Sequence, residues 1–520
     1  MSTTQHIDPV ENRAGPSQIE AAGAAVSEVE ERFDRARRSV GLWLGPAAFA
    51  LFWFLPLAAL RPEAHRLSAV VSLVVVWWVT EAIPIPATAL LGAALTVVCG
   101  VANATDAFAP FASPTIFLFI GSFIIGQAVS THQLDRRLAL SLLSLNVVRG
   151  SLGRTRVAMG LLCLAVSAWM SNTATTAMML PVAMGVLTAA GVADRRGNRS
   201  YAIGFLLTVA YAASIGGIIT PVGTPPNLIT LGLLDRLAGV KINFLTWMLL
   251  MTPIALSLGL VMFIAGVRLF PPLAQGSRAA ASCVDGAEHR MGAWTIGQRN
   301  CALAFSVAVV LWVTPGALAV LGQGDVPWVK TLTLRLDEAV VAITAASLLF
   351  VLPVDWRERR FTIGWSEASS IDWGTILLFG GGLSLGRLMF VTGLAEHIGR
   401  AIVVWSGVET LWGVTAMAAA LGICLTEITS NTAATNMLVP VIISIAQASG
   451  VSPVPPALAV CLGASMAFML PISTPPNAIV YGSGLVPITA MLRFGIVLDA
   501  LAFVVIVAGL RVLAPMLGLV

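Results

Sequence analysis

Long apolar runs, separated by short polar or arginine-bearing segments, fill the chain from residue 41 onward. Runs such as LSAVVSLVVVWWV (67–79) and NCALAFSVAVVLWV (300–313) are continuous rather than alternating, which argues for helices and against membrane strands. With their flanks they approach the ~20 residues that take a helix across a bilayer. Crossings are predicted at 42–60, 67–83, 87–102, 114–131, 200–234, 244–267, 299–321, 337–353, 373–392, 455–484 and 488–513, eleven in all. Two further apolar pieces, 155–190 and 410–449, carry the same polar tripeptide in their middles: Ser171-Asn172-Thr173 and Ser430-Asn431-Thr432. Each arm is about 14–18 residues, short of a full crossing. Each piece therefore reads as a re-entrant hairpin whose tip stops inside the membrane, where protein or a water-filled cavity must surround the non-helical backbone.

The polar code is duplicated in order as well as in kind. IFLFIGSFIIGQ from Ile116 aligns with ILLFGGGLSLGR from Ile376 at an offset of 260, the tripeptides at 259, and GTPPN (223–227) with STPPN (473–477) at 250. Three features in one order at nearly one spacing indicate an internal duplication. An odd number of crossings separates Ile116 from Ile376, so the halves must be inverted, an arrangement common in secondary transporters. The predicted fold is an all-α polytopic membrane protein of about eleven transmembrane helices plus two re-entrant helical hairpins, an inverted-repeat architecture with discontinuous helices. Its predicted parts are a cytosolic tail (1–40), a first half (41–267, hairpin 155–190, broken helix 200–234), a cytoplasmic linker (268–298) and a second half (299–520, hairpin 410–449, broken helix 455–484).

Composition agrees. The chain is 57% apolar and 11% charged, against about 25% charged in soluble domains, so it cannot cover a water-facing surface. Of the 30 basic residues, 21 fall in segments placed in the cytoplasm by this topology and 8 outside, the positive-inside pattern. It implies a multi-pass inner (plasma) membrane protein with a cytoplasmic N-terminus. The first apolar run lacks a small-residue cleavage site, so it reads as a retained helix rather than a signal peptide. The six cysteines form no CxxC, and neither Lys241 nor Lys330 follows a glycine-rich loop; a Walker-type nucleotide site is absent. All five histidines (6, 65, 132, 289, 397) lie outside the predicted crossings. That leaves an intramembrane enzyme without a buried Ser–His pair, even though GASM (463–466) carries a serine. No basic cluster or fold motif points to nucleic acid.

The interruptions carry the chemistry. Pro225-Pro226 and Pro475-Pro476 remove backbone donors within apolar runs and must break those helices. Thr224 and Thr474 are placed to cap the restarting half-helices, as Ser171 and Ser430 are at the hairpin tips. Four helix N-termini result, two per half, each presenting unpaired N–H groups and roughly half a positive charge. Brought together by inverted symmetry, they form an anion site that uses no fixed cation. No Lys or Arg lies at any break, so a doubly charged anion needs further compensation in a low-dielectric site. Small hard cations on oxygen ligands would supply it. Ser167 and Thr426 stand one turn before Ser171 and Ser430; with those two serines, the Asn172 and Asn431 amides and the carbonyls around Gly223 and Ser473, they give one all-oxygen cage per half. Two Na⁺ sites beside the anion are expected.

The paired SNT hairpins, GTPPN, STPPN and TEAIPIP (80–86) resemble the divalent anion/sodium symporter family of di- and tricarboxylate carriers over about residues 40–515. The resemblance implies a homodimer, with a scaffold and a moving transport domain working as an elevator. It implies substrate contacts at the SNT tips (Ser171, Asn172, Thr173, Ser430, Asn431 and Thr432) and the threonine-proline loops (Gly223, Thr224, Thr474 and Pro475), and sodium at the tip bases. The expected function is sodium-coupled symport of C4-dicarboxylates such as succinate, malate or fumarate. The alternatives are a sodium-independent exchanger, a citrate or sulfate carrier, and, in another class, an anion channel. The sequence departs from the family's usual pattern at Pro221, within the first break, and at Asn436, one turn into the second hairpin helix. Glu81 and Glu427, carboxyls at membrane depth, read as helix-positioning groups beside breaks rather than as a proton relay. Arg387 is expected to pair with a carboxylate at a domain boundary or to snorkel outward.

Overall fold

The computed structural model describes residues 28–57, 59–144, 151–192, 199–271, 292–323 and 326–520. Most of the predicted tail, the core of the predicted linker, His6, His289 and Cys283 lie outside the described residues. Helix α1 (Glu28–Phe54) begins within the predicted tail and runs without a break into the first apolar run. The tail and the first crossing are thus one helix, ending six residues before the expected 60. Helix α2 (Pro62–Thr80) starts on a proline at its first turn and stops at Glu81, which adopts a left-handed φ of 49°. The Glu81 carboxylate faces Arg37 at 3.2 Å and Arg38 at 3.7 Å, so α1 clamps the turn between α2 and α3 (Ile85–Val98).

A short α4 (Ala104–Phe108) leads to the glycine-bearing α5 (Pro114–Thr131) and the amphipathic α6 (Leu134–Leu143). The first hairpin is α7 (Leu152–Ser167) and α8 (Asn172–Ala189), joined by four residues. The first broken helix is α9 (Arg199–Gly216) and α10 (Pro225–Leu233), followed by α11 (Phe244–Leu269). Next come α12 (Ile296–Leu318), α13 (Pro327–Arg335), α14 (Glu338–Val351), a two-stranded antiparallel ribbon, β1 (Pro353–Asp355) and β2 (Arg360–Phe361), and one turn, α15 (Trp365–Ala368). The apolar pattern signals neither α13 nor the ribbon. The second half then repeats the first: α16 (Trp373–Thr392), α17 (Leu394–Ser406), hairpin α18 (Leu411–Thr426) and α19 (Asn431–Ala448), broken helix α20 (Val454–Ala464) and α21 (Pro475–Tyr481), and α22 (Ile488–Met516).

Among the described residues, five segments are long and apolar enough to cross a membrane: 104–131, 244–269, 296–323, 373–392 and 488–516. The other expected crossings fall on shorter or charge-bearing helices, or are divided by the breaks. Helices α17 and α18 meet at 101° across four residues.

The halves interlock. α14 packs on α5, and its counterpart α3 packs on α16; α10 packs on α19 and α20, while its counterpart α21 packs on α8 and α9. Each half therefore inserts its restarting half-helix beside the other half's hairpin. Small residues allow the close approaches. A Cβ at Gly121 would lie 2.5 Å from the Ala342 carbonyl carbon, and one at Gly381 3.0 Å from the Ala89 backbone. Helix α9 is the centre of the bundle, buried from Tyr201 to Gly216.

Candidate functional site

Each hairpin turn is built by the residues that repeat. Ser171 accepts the N–H of Ala174 and Ser430 that of Ala433, both at 3.2 Å, so each serine caps the helix that follows its turn. The amide oxygen of Asn172 accepts the Ser167 hydroxyl at 2.8 Å, and that of Asn431 the Thr426 hydroxyl at 2.7 Å. Thr176 and Thr435 bond back to the Asn172 and Asn431 carbonyls. The two turns match bond for bond.

The broken helices match too, and here the decisive residues are ones the sequence reading passed over. Asn227 donates through Nδ2 to the Gly217 and Thr220 carbonyls at 2.9 and 2.7 Å. Asn477 donates likewise to Ala467 and Leu470, both at 3.0 Å. Each last letter of the TPPN motif thus ties its own break into a fixed loop. The threonine caps differ. Thr474 accepts the Asn477 N–H at 3.4 Å, but Thr224 makes no side-chain cap. The expectation of a Thr224 cap fails because the Asn227 N–H is taken by the Thr224 carbonyl at 3.2 Å. The Thr224 hydroxyl is left on the cavity wall.

A cavity of about 470 Å³ lies where the four breaks converge. Ser171, Asn172, Thr173, Gly223, Thr224, Ser430, Asn431, Thr432, Thr474 and Pro475 all line it, with Pro225, Pro226, Pro476 and Ser473. Its opposite wall comes from α5 (Ser122, Phe123, Gly126, Gln127, Ser130) and the residues leading into α16 (Ser370, Ile371, Asp372, Thr375). No arginine, lysine or histidine is among the lining residues. The positive ends of α8, α10, α19 and the seven-residue α21 supply the field that favours an anion there.

Ser167 and Thr426 are buried behind the cavity. At the first break the backbone converges on Gly223: a Cβ there would lie 2.5, 2.9 and 3.0 Å from the Gly217, Ala168 and Ser167 carbonyl oxygens. A Cβ on Gly217 would meet the Asn172 amide oxygen at 2.3 Å. At the second break, Thr426 Oγ1 is hydrogen-bonded to both Asn431 Oδ1 and the Ala464 carbonyl at 2.7 Å. Its single proton is shared by two acceptors. Both clusters gather carbonyl, amide and hydroxyl oxygens whose further lone pairs are the ligands a hard cation takes. Ser473 departs from this: its hydroxyl donates to Glu427, at 3.0 Å to the carbonyl and 2.7 Å to Oε2.

Glu427 also accepts the Phe468 and Met469 N–H groups, at 2.7 and 2.9 Å, and so positions the second break. Neither Glu81 nor Glu427 lines the cavity. Pro221 is buried within the first break. Arg387 pairs with Asp106 of α4 at 3.3 Å. Asn436 does not line the cavity; it packs on α16, where a Cβ at Gly382 would lie 1.8 Å from its amide oxygen.

One acidic group, Asp135, stands in the first turn of α6. Burial pushes the Asp135 carboxyl above the usual carboxylate range, against hydrogen bonds from Arg136 and Ser130. A carboxyl raised on folding favours the folded state when protonated, and that contribution fades as pH rises through its folded value. Asp135→Asn removes the charge. The variant should melt above the wild type at neutral pH, with the difference vanishing in acid; thermal melts in detergent at two pH values check this.

Comparisons with known proteins agree with the geometry. The chain is 34% identical over 456 residues to an uncharacterized transporter of Haemophilus influenzae, covering 88% of this chain and 93% of the relative. It is 31% identical over 485 residues to the sodium-dependent dicarboxylate transporter SdcS of Staphylococcus saprophyticus, covering 92% and 91%. The SdcS of a Staphylococcus aureus strain is 29% identical, with 91% and 90% covered. Among solved structures, the YdaH transporter of Alcanivorax borkumensis shares the fold with a TM-score of 0.52 at 15% identity, over 77% of this chain and 85% of that one. The family described as the sodium:sulfate symporter transmembrane region matches residues 37–520. With its duplicated tips, duplicated breaks and match along nearly its whole length, the chain belongs to that family of membrane transporters.

Proposed function

We propose that the protein is a secondary active carrier that moves a divalent C4-dicarboxylate, such as succinate, malate or fumarate, together with two or more Na⁺. The observation that carries this reading is the single cavity lined by both SNT tips and both TPP loops, without a cationic side chain. Asn172, Thr173, Asn431 and Thr432, with Thr224, Thr474 and Pro475, would hold the two carboxylates. Sodium would sit at the two oxygen clusters, the first between Ser167, Ala168, Asn172, Gly217 and Gly223, the second between Thr426, Asn431, Ala464 and the Ser473 backbone. Each cation lies beside an asparagine that also faces the cavity, so cation and anion lower each other's electrostatic cost. The relatives called sodium-dependent dicarboxylate transporters support both cargoes.

The two halves are packed differently, and this supports alternating access. In the second half, α19 lies against α16: a Cβ at Gly386 would come 3.2 Å from the Pro440 ring. Gly126 is its counterpart on α5 and Pro181 the counterpart of Pro440. A Cβ at Gly126 would meet nothing within 4 Å, and Gly126 lines the cavity. The cavity is walled by the end of α5 and the start of α16, which border arginine-bearing segments predicted to be cytoplasmic, so this state would face inward. An elevator movement of the tips and breaks against α5 and α16 would close the first gap and open the second. Cysteines at Gly126 and Pro181 (Gly126→Cys with Pro181→Cys) should then cross-link only when the carrier visits its other state, and the cross-link should stop transport. An anion channel has no need of such an exchange, and a homodimer would hold the α5 and α16 elements still.

The test is uptake of labelled succinate into proteoliposomes with and without an inward Na⁺ gradient, competed by citrate, sulfate and α-ketoglutarate. Uptake driven by Na⁺ and blocked best by C4-dicarboxylates is expected. Equal uptake in choline, driven instead by internal dicarboxylate, would make the protein an exchanger.

A further inference from the structure

Among the described residues that line the cavity one carries a charge, and it is an acid, Asp372. It stands on the wall opposite the tips and is exposed. Asp372 is the N-cap of α16: its Oδ1 accepts the Thr375 N–H at 3.0 Å and its Oδ2 the Thr375 hydroxyl at 2.5 Å. Both oxygens are therefore held in place. The start of α16 is a fifth helix N-terminus at the cavity, with roughly half a positive charge. The full charge of the carboxylate more than offsets it, so this wall is negative where the tips are positive.

The fold does not demand an acid there. At the offset of 260 the first half carries Ala112, and α5 starts from Ser113 with no side-chain cap. Asparagine or serine would cap α16 about as well as aspartate does. Three hydroxyls on the same wall are already committed as donors. Ser122 donates to the Leu118 carbonyl at 2.7 Å, Ser370 to the Ser366 carbonyl at 2.9 Å, and Thr375 to Asp372 itself. A carboxylate brought to this wall would shed water, face an acid and find few donors. Size is no obstacle. A cavity of about 470 Å³ lies in the range that takes drug-sized ligands, so a tricarboxylate such as citrate has room. With two of its carboxylates at the tips and breaks, the third is directed at the wall that remains.

We propose that Asp372 is a specificity-determining residue, a fixed negative charge that admits dianions held at the tips and rejects anions bearing a third carboxylate. Repulsion placed away from the seat of the preferred ligand costs that ligand little and the wrong one much. A dianion keeps its charge at the helix ends, beside sodium; a third carboxylate has neither, and lies nearer Asp372. The inference rests on the proposed seating of two carboxylates at the tips, and deepens it by naming what limits the charge of the cargo.

The test compares two anions that differ in one group. Citrate and hydroxymethylglutarate share a carbon skeleton, the second carrying a methyl where the first has its central carboxylate. Calorimetric binding to the purified carrier in saturating Na⁺, at a pH where citrate is fully ionised, should favour hydroxymethylglutarate in wild type by about tenfold. Asp372→Asn keeps the cap and removes the charge. It should raise the affinity for citrate about tenfold, and for hydroxymethylglutarate and succinate about twofold at most, closing the gap. Asp372→Ser, which also caps, gives the same comparison should Asp372→Asn fail to accumulate. Glu367→Gln removes an exposed acid that bonds the Gly364 N–H and does not line the cavity; it should leave both affinities at the wild-type values. The proposal is overturned if wild type binds citrate as tightly as hydroxymethylglutarate, if Asp372→Asn leaves the gap open, if Glu367→Gln closes it too, or if neither anion binds. Failure of succinate alone to bind would overturn the proposed cargo and leave this comparison standing.

Discussion

Asn172→Ala and Asn431→Ala are each expected to abolish sodium-driven uptake while the protein still inserts and purifies as the wild type does. Each amide has two tasks in one group. Its oxygen closes an oxygen cluster with Ser167 or Thr426, and the residue lines the anion cavity. A hydrogen bond to a charged partner contributes about 1.5–3 kcal/mol, so losing a cation ligand and an anion contact together should lower uptake by about two orders of magnitude or more. Serine caps at Ser171 and Ser430 remain in both variants, so the turns stay built. Uptake assays alongside size-exclusion profiles check this. Wild-type transport by either variant would refute the assignment.

Gly223→Ala should also be damaging, for a different reason, although it removes no polar group. The added methyl would enter the space enclosed by the Gly217, Ala168 and Ser167 carbonyl oxygens, at 2.5 to 3.0 Å from each. Contacts that close force backbone to move, and a cation cluster tolerates little movement of its ligands. Loss of Na⁺ activation is expected, with succinate uptake in saturating Na⁺ falling at least about tenfold. The pairing with the other half sharpens the test. Ser473 already carries a side chain, turned aside to Glu427, so Ser473→Ala should keep much more of the Na⁺ response than Gly223→Ala. Sodium titrations of the two variants side by side give the comparison.

Much of this architecture could be read from the chain because breaks in membrane helices need chemistry that stands out against an apolar background. Prolines 225, 226, 475 and 476 and the SNT tripeptides have few other reasons to recur at matched spacing, and the helices do stop and restart at those letters. The helix through residues 28–54 was harder to delimit, because a polar amphipathic stretch continuous with an apolar one shows no composition signal at the join. Asn227 and Asn477 were visible as letters of a repeated motif. Their role as loop clamps depends on carbonyls seven and ten residues earlier, which no local pattern indicates. Thr224 shows the same limit in reverse: a residue type suited to capping was placed at the right position, and a backbone carbonyl took its donor. Asn436 depends wholly on which helix lies opposite, here α16 at Gly382.

The far wall of the cavity was equally hidden. Gln127, Ser130 and Asp372 contribute from α5 and from the lead-in to α16, elements whose glycine patterns announced packing rather than a binding surface. Their presence on one side, with Gly386 already closed on Pro440 on the other, is a tertiary asymmetry that a near-symmetric sequence cannot display.

Equilibrium binding of labelled succinate to the purified carrier, in Na⁺ and in choline at equal ionic strength, bears most directly on the claim that helix ends and co-bound sodium replace basic side chains. Saturable binding in Na⁺, weakened by at least about a hundredfold in choline and rising with more than the first power of Na⁺ concentration, is the expected result. Equal affinity in both salts would show that the protein alone neutralises the dianion, and would contradict the account.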